Sequence, residues 1–416
     1  MLRRLIQRNK PPTDPAPEPL DPSTVPEAKK AAESADSDQG QVLEDEATGL
    51  PESDDAAVEQ PEPLSEPDDV VPEPAPVREA EPGPEPTLPP ESLRAKARPG
   101  TLVGGIDLGG TKIAAAVIGP GHEVISYRRR PTPDHGGPAD VVRAMAATIQ
   151  EAAKDAGIEA HELRAIGVGA PGSVESTTGA VSGAGNLPNW EGRFQLGMAL
   201  REAVGSPVTV GNDVQVGTNA EFQLGAGSDY DSLLGVFWGT GVGGGIILDG
   251  QPWKGRGRAG EIGHMVVRRG GAPGLNGING TIEAYAGRKA MEAKAIREMN
   301  KGRKSDLFKI MEKHDKTHLT SAIWSHARDH GDELAIELLD RAVKALSAGI
   351  ASAVNLLDVE AVVVGGGLGV RFADSLVPEI IDRMDRYLLN PENPPAIRVA
   401  GLGDEGGVIG ASLLVS

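Results

Sequence analysis

Two short glycine-rich turns carry residue types that could hold a phosphate chain. The first, 107–112, reads DLGGTK, and the second, 238–245, reads WGTGVGGG. Glycine lets a backbone approach a phosphate closely and point N–H groups at it, and a threonine hydroxyl adds a donor. The candidate phosphate ligands are Gly109, Gly110, Thr111, Lys112, Gly239, Thr240 and Gly241. Because 55 of the 416 residues are glycine, either turn alone could be a plain tight turn, and the prediction depends on the pair.

The context of both turns separates them from the common phosphate-binding motifs. Each is predicted to join a strand to a strand, because runs of small and β-branched residues flank it. The pattern Gly-x4-Gly-Lys-[Ser/Thr] does not occur, and no helix follows either turn as the dinucleotide fingerprint requires. The pair therefore predicts a nucleotide held between two hairpins in a cleft. Asp107 could hold Mg²⁺ directly or through water, since Mg²⁺ prefers oxygen ligands.

A third glycine cluster and one acid complete the predicted reaction site. Gly365, Gly366 and Gly367 follow the buried strand AVVV, where they could contact adenine or simply start a helix. Asp213, in VGNDVQ, follows a short strand at the start of a predicted helix. Local chemistry favours an N-cap role for this carboxylate. An ionised carboxylate there could also accept the proton of a hydroxyl, as a kinase acting on an alcohol requires.

Three more polar residues could bind a sugar. Glu261 and His264 are three residues apart in GEIGH and would share one face if that span is helical. Glu283 follows 19 residues after His264, beyond a glycine-rich loop. Carboxylates and an imidazole suit a ring of hydroxyls, because each sugar hydroxyl both donates and accepts a hydrogen bond. Taken singly, each of them could equally be a structural residue.

The elements that must position these residues alternate between strands and helices, which predicts an α/β protein. The segment 291–330 is polar and helical in character, and indicates a peripheral helix pair. A long helix with an apolar stripe follows, and the chain closes on a short helix after a glycine-rich loop. We expect a first lobe over 101–225, a second over 226–405, and packing of the terminal helix, 406–416, on the first lobe.

Composition limits the remaining possibilities. Residues 1–100 contain no aromatic residue and about 20 of the 33 prolines, so we expect an acidic, disordered tail. The net charge of −19 argues against nucleic acid as a partner, and no stretch is apolar enough to span a membrane. The basic start, 1–10, lacks the apolar run of a secretory signal, although it could be a weak surface anchor. The absence of cysteine is compatible with the cytoplasm, where we expect the protein.

The motifs together resemble a known family. From about residue 103 to 415 the chain resembles the ROK family (repressor, ORF, kinase) of sugar kinases and regulators. The segments that carry the resemblance occur in the family's order: GIDLGGTKIAAAV, GVGAPGSVESTTGAV, NLPNW, GND, GTGVGGGI, GEIGHM, IEAYAG, VVGGGL and GVIGAS. The resemblance implies an actin-like ATPase (ribonuclease H-like) fold, in which two α/β lobes flank a cleft that binds ATP and Mg²⁺.

The resemblance also implies roles for individual residues. Asp213 would be the base that activates the 6-hydroxyl of a hexose, and the sugar hydroxyls would be bound by Asn212, Glu261, His264 and Glu283. The flanking motifs look most like the glucokinase branch, so glucose is favoured, with N-acetylmannosamine, N-acetylglucosamine, fructose and allose left open. The donor would be ATP or polyphosphate, and members of the family commonly form dimers.

The chain departs from the family in one loop. Between the His and the second Glu, the family typically has Cys-x-Cys-Gly-x-x-Gly-Cys-x-Glu, whose thiolates join the His on a structural zinc. Gly274, Asn276 and Thr281 stand at those positions here. Neutral Asn and Thr oxygens are poor ligands for an ion that favours sulfur and nitrogen, so the sequence predicts no zinc. The loop would then depend on hydrogen bonds and packing.

Two alternatives to a kinase stay open. One is a sugar-binding regulator of the same fold without catalysis; direct DNA binding is not expected, because the acidic, proline-rich N-terminal region cannot form a helix-turn-helix. The other is an interaction protein whose tail recruits partners. Retention of the candidate base, both turns and both glutamates favours the kinase.

Overall fold

The structure, a computed structural model, describes residues 101–416, so the predicted tail over 1–100 lies outside the described residues. Two five-stranded sheets form the body of this part of the chain. The first sheet has the order β3-β2-β1-β4-β8, with strands β1 (Val103–Leu108), β2 (Lys112–Ile118), β3 (Val124–Pro131), β4 (Ile166–Ala170) and β8 (Val208–Asn212). A small three-stranded sheet follows β4 and comprises β5 (Ser173–Glu175), β6 (Ala180–Ser182) and β7 (Arg193–Phe194).

The first sheet places its functional residues at one edge. β1 and β2 form the predicted hairpin, and β1, β4 and β8 run parallel to each other, so their carboxyl ends meet at the same edge. In this register Asp107 lies beside Gly169, and Gly169 lies beside Gly211. The next residues of the chain after β8 therefore emerge close to Asp107.

Helices cover both faces of the first sheet. Helix α1 (Pro138–Asp155) buries one apolar stripe, which includes Met145 and Ile149, and burial of such side chains contributes about 2 kcal/mol each. Helix α2 (Leu196–Val204) packs against α1 and β8. On the opposite face, helix α11 (Gly406–Ser412) lies directly on β1 and β4. A Cβ on Gly105 would come within 2.0 Å of the Val408 carbonyl oxygen, so glycine permits this close approach.

The second sheet has the order β11-β10-β9-β12-β13. Its strands are β9 (Leu233–Trp238), β10 (Val242–Leu248), β11 (Gln251–Pro252), β12 (Ala361–Gly365) and β13 (Ala396–Val399). β9 and β10 form the second predicted hairpin. Helix α3 (Asp213–Leu224) packs against this hairpin and against β4 and α11, so it contacts elements of both sheets. The close packing uses glycines: a Cβ on Gly217 would meet the Phe237 ring at 3.2 Å.

The remaining helices surround the second sheet. They are α4 (Ile282–Ala286), α5 (Arg288–Asn300), α6 (Leu307–Lys313), α7 (Ser321–Asp329), α8 (Glu333–Leu357), α9 (Gly366–Arg371) and α10 (Val377–Met384). The predicted helix pair over 291–330 is wrong in number, because α5, α6 and α7 form three helices. Gly302, with a φ of +94°, follows the end of α5, and the Thr320 hydroxyl caps the start of α7.

Two sequence predictions about the whole body have different outcomes. The α/β class is confirmed. The lobe boundaries at 225 and 405 stay predictions. Over residues 101–416, no helix combines the length and the apolar character that a membrane span needs.

Candidate active site

Asp213 begins α3, directly after β8. The expectation that this carboxylate caps the helix is wrong, because Asn212 is the N-cap. The Asn212 Oδ1 accepts hydrogen bonds from the N–H groups of Val214 and Gln215, both at 3.1 Å, and its Nδ2 donates to the Gly172 carbonyl oxygen. The carboxylate of Asp213 accepts the Val214 N–H, at 2.9 Å. The asparagine therefore satisfies the start of the helix and leaves the aspartate available for chemistry.

The environment of Asp213 raises its pKa. Burial disfavours the charged carboxylate, and the nearby charges of Asp107 and Glu261 add to that effect, so the pKa of Asp213 rises to about 7. The hydrogen bond from Val214 acts in the opposite direction. The pKa of Asp107 is also raised by its own burial, and the Lys112 charge opposes that rise. A carboxylate with a pKa near neutrality is a suitable proton acceptor at neutral pH.

The first glycine turn is held by its neighbours. The Gly109 N–H donates to the Lys112 carbonyl oxygen at 2.9 Å, which closes the turn between β1 and β2. The buried Thr132 supports it from below, since its hydroxyl donates to the Gly109 carbonyl oxygen at 2.7 Å. The backbone N–H of Thr132 also donates to the Thr111 carbonyl oxygen, at 3.1 Å. The Lys112 ammonium lies 3.4 Å from the exposed Asp404 carboxylate, so this lysine sits at the surface end of the turn.

The second glycine turn is tied to α4 and α5. The Val242 N–H donates to Glu283 Oε2 at 2.9 Å, and a Cβ on Gly241 would come within 2.1 Å of that same oxygen. The Thr240 hydroxyl accepts a hydrogen bond from the buried Arg288 guanidinium at 3.0 Å. Glycine at 241 therefore makes room for a carboxylate, and a buried cation orients the threonine of the turn.

The third glycine cluster lies beside the second turn. Gly366 has a φ of +80°, and a Cβ there would come within 2.5 Å of the Trp238 carbonyl oxygen, so glycine is needed at this position. A Cβ on Gly239 would face the Gly367 N–H at 3.7 Å with no other atom nearby. α9 begins at Gly366, so the cluster starts a helix and also borders open space next to the second turn.

Both turns are adjacent to the first residues of α3. The first turn reaches them through Asp107, which pairs with Gly169, where a Cβ would come within 3.4 Å of the Asp213 Cα. The second hairpin reaches them through Gly243, where a Cβ would come within 2.7 Å of a Val214 methyl group. The structure thus brings the two turns and the candidate base together at one end of one helix.

The predicted sugar ligands fall into two groups. Glu261 caps the short 3₁₀ helix Ile262–His264, its side chain lies 3.6 Å from His264 Nε2, and both side chains are more than two fifths exposed. The charge of Glu261 also raises the pKa of Asp213, so the two carboxylates lie within electrostatic reach of each other. Glu283 is already bonded to the second turn through Val242.

Asn212 can offer little to a ligand beyond its capping role. Its oxygen is used twice and one of its amide hydrogens is used by Gly172. One amide hydrogen is left. The structure therefore groups Glu261 and His264 with Asp213, while Asn212 and Glu283 have structural hydrogen bonds as well.

Sequence reasoning missed Arg288, Thr132 and Asn186. A Cβ on Gly110 would meet Asn186 at 2.9 Å, so this asparagine borders the first turn. Arg288 directly follows the IEAYAG motif, and this position next to a recognised segment is the signal by which it could have been found. Thr132 gave none, because its contact with Gly109 spans 23 residues.

The donor sets differ in how well they suit metals. Asp107 supplies a carboxylate near the carboxyl end of β1, and such a hard oxygen donor fits Mg²⁺. The loop positions 274, 276 and 281 do not fit zinc. Gly274 has no side chain, the Asn276 oxygen accepts the Ile278 N–H at 3.0 Å, and the Thr281 hydroxyl accepts the Ala284 N–H at 3.2 Å. Zinc absence itself stays a prediction.

Comparisons with known proteins agree with this geometry. The ROK family profile matches residues 103–416. A glucokinase from Halalkalibacterium halodurans is 33% identical over 314 residues, which cover 75% of this chain and 94% of the relative. An N-acetyl-D-glucosamine kinase from Erwinia tasmaniensis is 30% identical over 321 residues, which cover 74% of this chain and 98% of the relative.

A crystal structure shows the same likeness. The ROK family glucokinase from Streptomyces griseus, solved in complex with glucose and AMPPNP, matches with a TM-score of 0.64 at 30% identity, over 75% of this chain and 98% of that one. The resemblance inferred from the motifs is confirmed. The chain belongs to the ROK family and has the actin-like ATPase fold of that family's sugar kinases.

Proposed function

We propose that this protein is an ATP-dependent hexose kinase that phosphorylates the 6-hydroxyl of its sugar, with glucose as the preferred substrate. One observation carries the proposal: Asp213, with its pKa near 7, lies between the two glycine turns and beside Glu261. The names of the relatives support a sugar kinase. These relatives include a glucokinase and an N-acetyl-D-glucosamine kinase at similar identity, and the glucokinase-like flanking motifs favour glucose.

In this proposal the two glycine turns bind the phosphates of ATP. The N–H groups of Gly110 and Gly241, with the hydroxyls of Thr111 and Thr240, are the donors that would surround the β- and γ-phosphates. The third glycine cluster borders the open side of Gly239 and would contact the adenosine. Mg²⁺, when bound with ATP near Asp107, would neutralise part of the phosphate charge. Positioning and electrostatic stabilisation of this kind supply most of the rate in phosphoryl transfer.

Proton transfer falls to Asp213. Its carboxylate accepts the proton of the 6-hydroxyl as that oxygen attacks the γ-phosphorus and the bond to the bridging oxygen of ADP breaks. Glu261 and His264 would bind hydroxyls on the sugar ring, with Asn212 and Glu283 adding contacts through their remaining polar atoms. Each group holds the substrate so that the attacking oxygen faces the phosphate in line.

A sugar panel tests the proposal. Purified protein is assayed with Mg·ATP and with polyphosphate against glucose, N-acetylglucosamine, N-acetylmannosamine, fructose and allose. The Asp213→Ala variant is assayed beside the parent. We expect ATP-dependent phosphorylation of glucose at the 6-position and a loss of about 10²–10⁴-fold in the variant. Sugar binding without phosphorylation by the parent would support the regulator instead.

The expected homodimer rests on family likeness and is a proposal. Light scattering of the purified full chain measures the mass in solution directly. A mass near twice 43.2 kDa is expected, and a mass near 43.2 kDa would contradict it.

A further inference from the structure

Asn276 makes two hydrogen bonds at the tip of the loop that joins His264 to Glu283. Its Nδ2 lies 2.9 Å from His264 Nδ1, and its Oδ1 accepts the Ile278 N–H at 3.0 Å. The side chain therefore connects the loop tip to the imidazole of a candidate sugar ligand. No other side-chain hydrogen bond reaches His264 within residues 101–416, apart from the wide contact with Glu261.

The Ile278 N–H fixes which way the Asn276 amide faces. A backbone N–H can only donate, so the amide oxygen must face it, and the NH₂ group must then face the imidazole. An NH₂ group can only donate, so His264 Nδ1 is the acceptor. The imidazole proton is therefore on Nε2.

Hydrogen bonds close the base of the loop. The Val267 N–H donates to the Gly280 carbonyl oxygen at 2.9 Å, and the Ile282 N–H donates to that of Met265 at 3.0 Å. The Ala272 N–H donates to the Tyr285 hydroxyl at 3.0 Å. These bonds join the two arms of the loop at its base, and beside Asn276 the Gly277 N–H donates to the Gly274 carbonyl oxygen at 3.2 Å.

The Nε2–H side of the imidazole faces Glu261. The separation of 3.6 Å between Nε2 and Glu261 Oε2 is too wide for a good direct hydrogen bond. One sugar hydroxyl could accept from Nε2–H and donate to the carboxylate, which uses both of its capacities. A ligand group that lacks the donor, such as a fluorine, would satisfy only the histidine.

We propose that Asn276 is a positioning residue, which holds His264 in its Nε2–H form so that His264 and Glu261 together recognise one sugar hydroxyl. This inference deepens the proposed hexose kinase function and rests on it for the identity of the ligand. The tautomer itself is a property of the free protein. It can be tested whether or not any sugar is phosphorylated.

The loop offers a matched control. Asn279 accepts the Gly274 N–H through its Oδ1 at 3.4 Å, and its side chain has no hydrogen bond to His264. Asn276→Asp and Asn279→Asp make the same chemical change in the same loop. Only Asn276→Asp replaces the group that donates to the imidazole by an acceptor. An acceptor at this position requires a proton on His264 Nδ1.

The first measurement is the ¹⁵N NMR spectrum of histidine-labelled full-length protein, with the signals of His264 among the eight histidines assigned by His264→Gln. We expect the Nε2–H form in the parent and in Asn279→Asp. In Asn276→Asp the proton should appear on Nδ1. An Nδ1–H form in the parent, or a mixture that Asn276→Asp leaves unchanged, overturns the proposal.

The second measurement is the kinetics with the sugar that the panel identifies. Asn276→Asp should raise the KM for sugar about tenfold, the size expected for one lost hydrogen bond, with the KM for ATP unchanged. Asn279→Asp should leave both values unchanged. In the His264→Gln background, Asn276→Asp should add no further effect. Two outcomes would contradict a role through His264. One is an equal rise of the sugar KM in Asn276→Asp and Asn279→Asp, and the other is an undiminished effect of Asn276→Asp in the His264→Gln background.

If no sugar is phosphorylated, the kinase proposal fails and calorimetric sugar binding replaces KM in the same comparison. The Asn276→Asp variant should then weaken sugar binding about tenfold relative to Asn279→Asp. Equal affinities of these two variants would overturn the role of Asn276, whatever the outcome for catalysis.

Discussion

Replacement of Asp213 by asparagine should stabilise the protein at neutral pH while it abolishes activity. A carboxylate whose pKa is raised by burial and by neighbouring acids opposes folding when it is charged. Asparagine keeps an oxygen that can accept the Val214 N–H and removes the charge. A residue that served only the start of the helix would show the reverse, because its loss would cost stability.

The size of the effect follows from the pKa. A rise of the pKa from 3.8 to about 7 corresponds to a decrease of up to about 4 kcal/mol in the free energy of unfolding at pH 8. The sign is set by proton release: between about pH 4 and pH 7 the unfolded chain loses this proton while the folded protein keeps it, so stability falls as pH rises. The increase in the free energy of unfolding caused by Asp213→Asn should therefore be near zero at pH 4, about 1.5 kcal/mol at pH 5, and complete above about pH 7.

Urea unfolding at pH 5 and pH 8 provides the assay, with Asp374→Asn as the control because that carboxylate is exposed and forms no salt bridge. The difference between parent and Asp213→Asn should grow with pH, and the control should show none. A variant that is less stable than the parent at pH 8, or equally stabilised at both pH values, would refute the assignment of a partly buried base coupled to neighbouring acids.

Three further predictions concern the turns and the loop. Gly239→Ala should raise the KM for ATP at least about tenfold with an unchanged melting temperature, because the added methyl group meets only Gly367 N at 3.7 Å. Gly241→Ala should also lower the melting temperature, because its methyl group would clash with the Glu283 carboxylate. Unaltered ATP kinetics for Gly239→Ala would be evidence against the nucleotide position. Thr240→Val should lower stability by about 1–3 kcal/mol and reduce kcat, since it leaves a buried guanidinium N–H unpaired, and Thr240→Ser should restore both. Treatment with a zinc chelator followed by supply of Mg²⁺ should leave full activity, and a loss that only added zinc reverses would contradict a hydrogen-bonded loop.

Much of the fold could be predicted from the sequence because its signals are local. Each glycine turn lies between runs of small and β-branched residues, and the structure has a hairpin at both places. The predicted helix after the short strand is present and spans Asp213–Leu224. The glycines of β1 are different: Gly105 makes room for α11, a contact between segments about 300 residues apart that no local pattern reveals.

The site was harder to predict because its roles depend on side-chain partners. Asn212 and Asp213 are neighbours with similar capping propensity, and only the structure shows that the asparagine caps the helix. Glu283 was predicted as a sugar ligand, yet its bond to the second turn depends on where α4 packs. The link from Asn276 to His264 spans 12 residues, and no local pattern in the sequence indicates that this amide contacts the histidine.

A crystal structure of the protein with glucose, Mg²⁺ and a non-hydrolysable ATP analogue would test the central claim most directly. We expect an Asp213 carboxylate oxygen about 2.6–3.2 Å from the 6-hydroxyl oxygen, with the terminal phosphate between 107–112 and 238–245. A complex in which the 6-hydroxyl lies away from Asp213, or in which the phosphates contact neither turn, would contradict it.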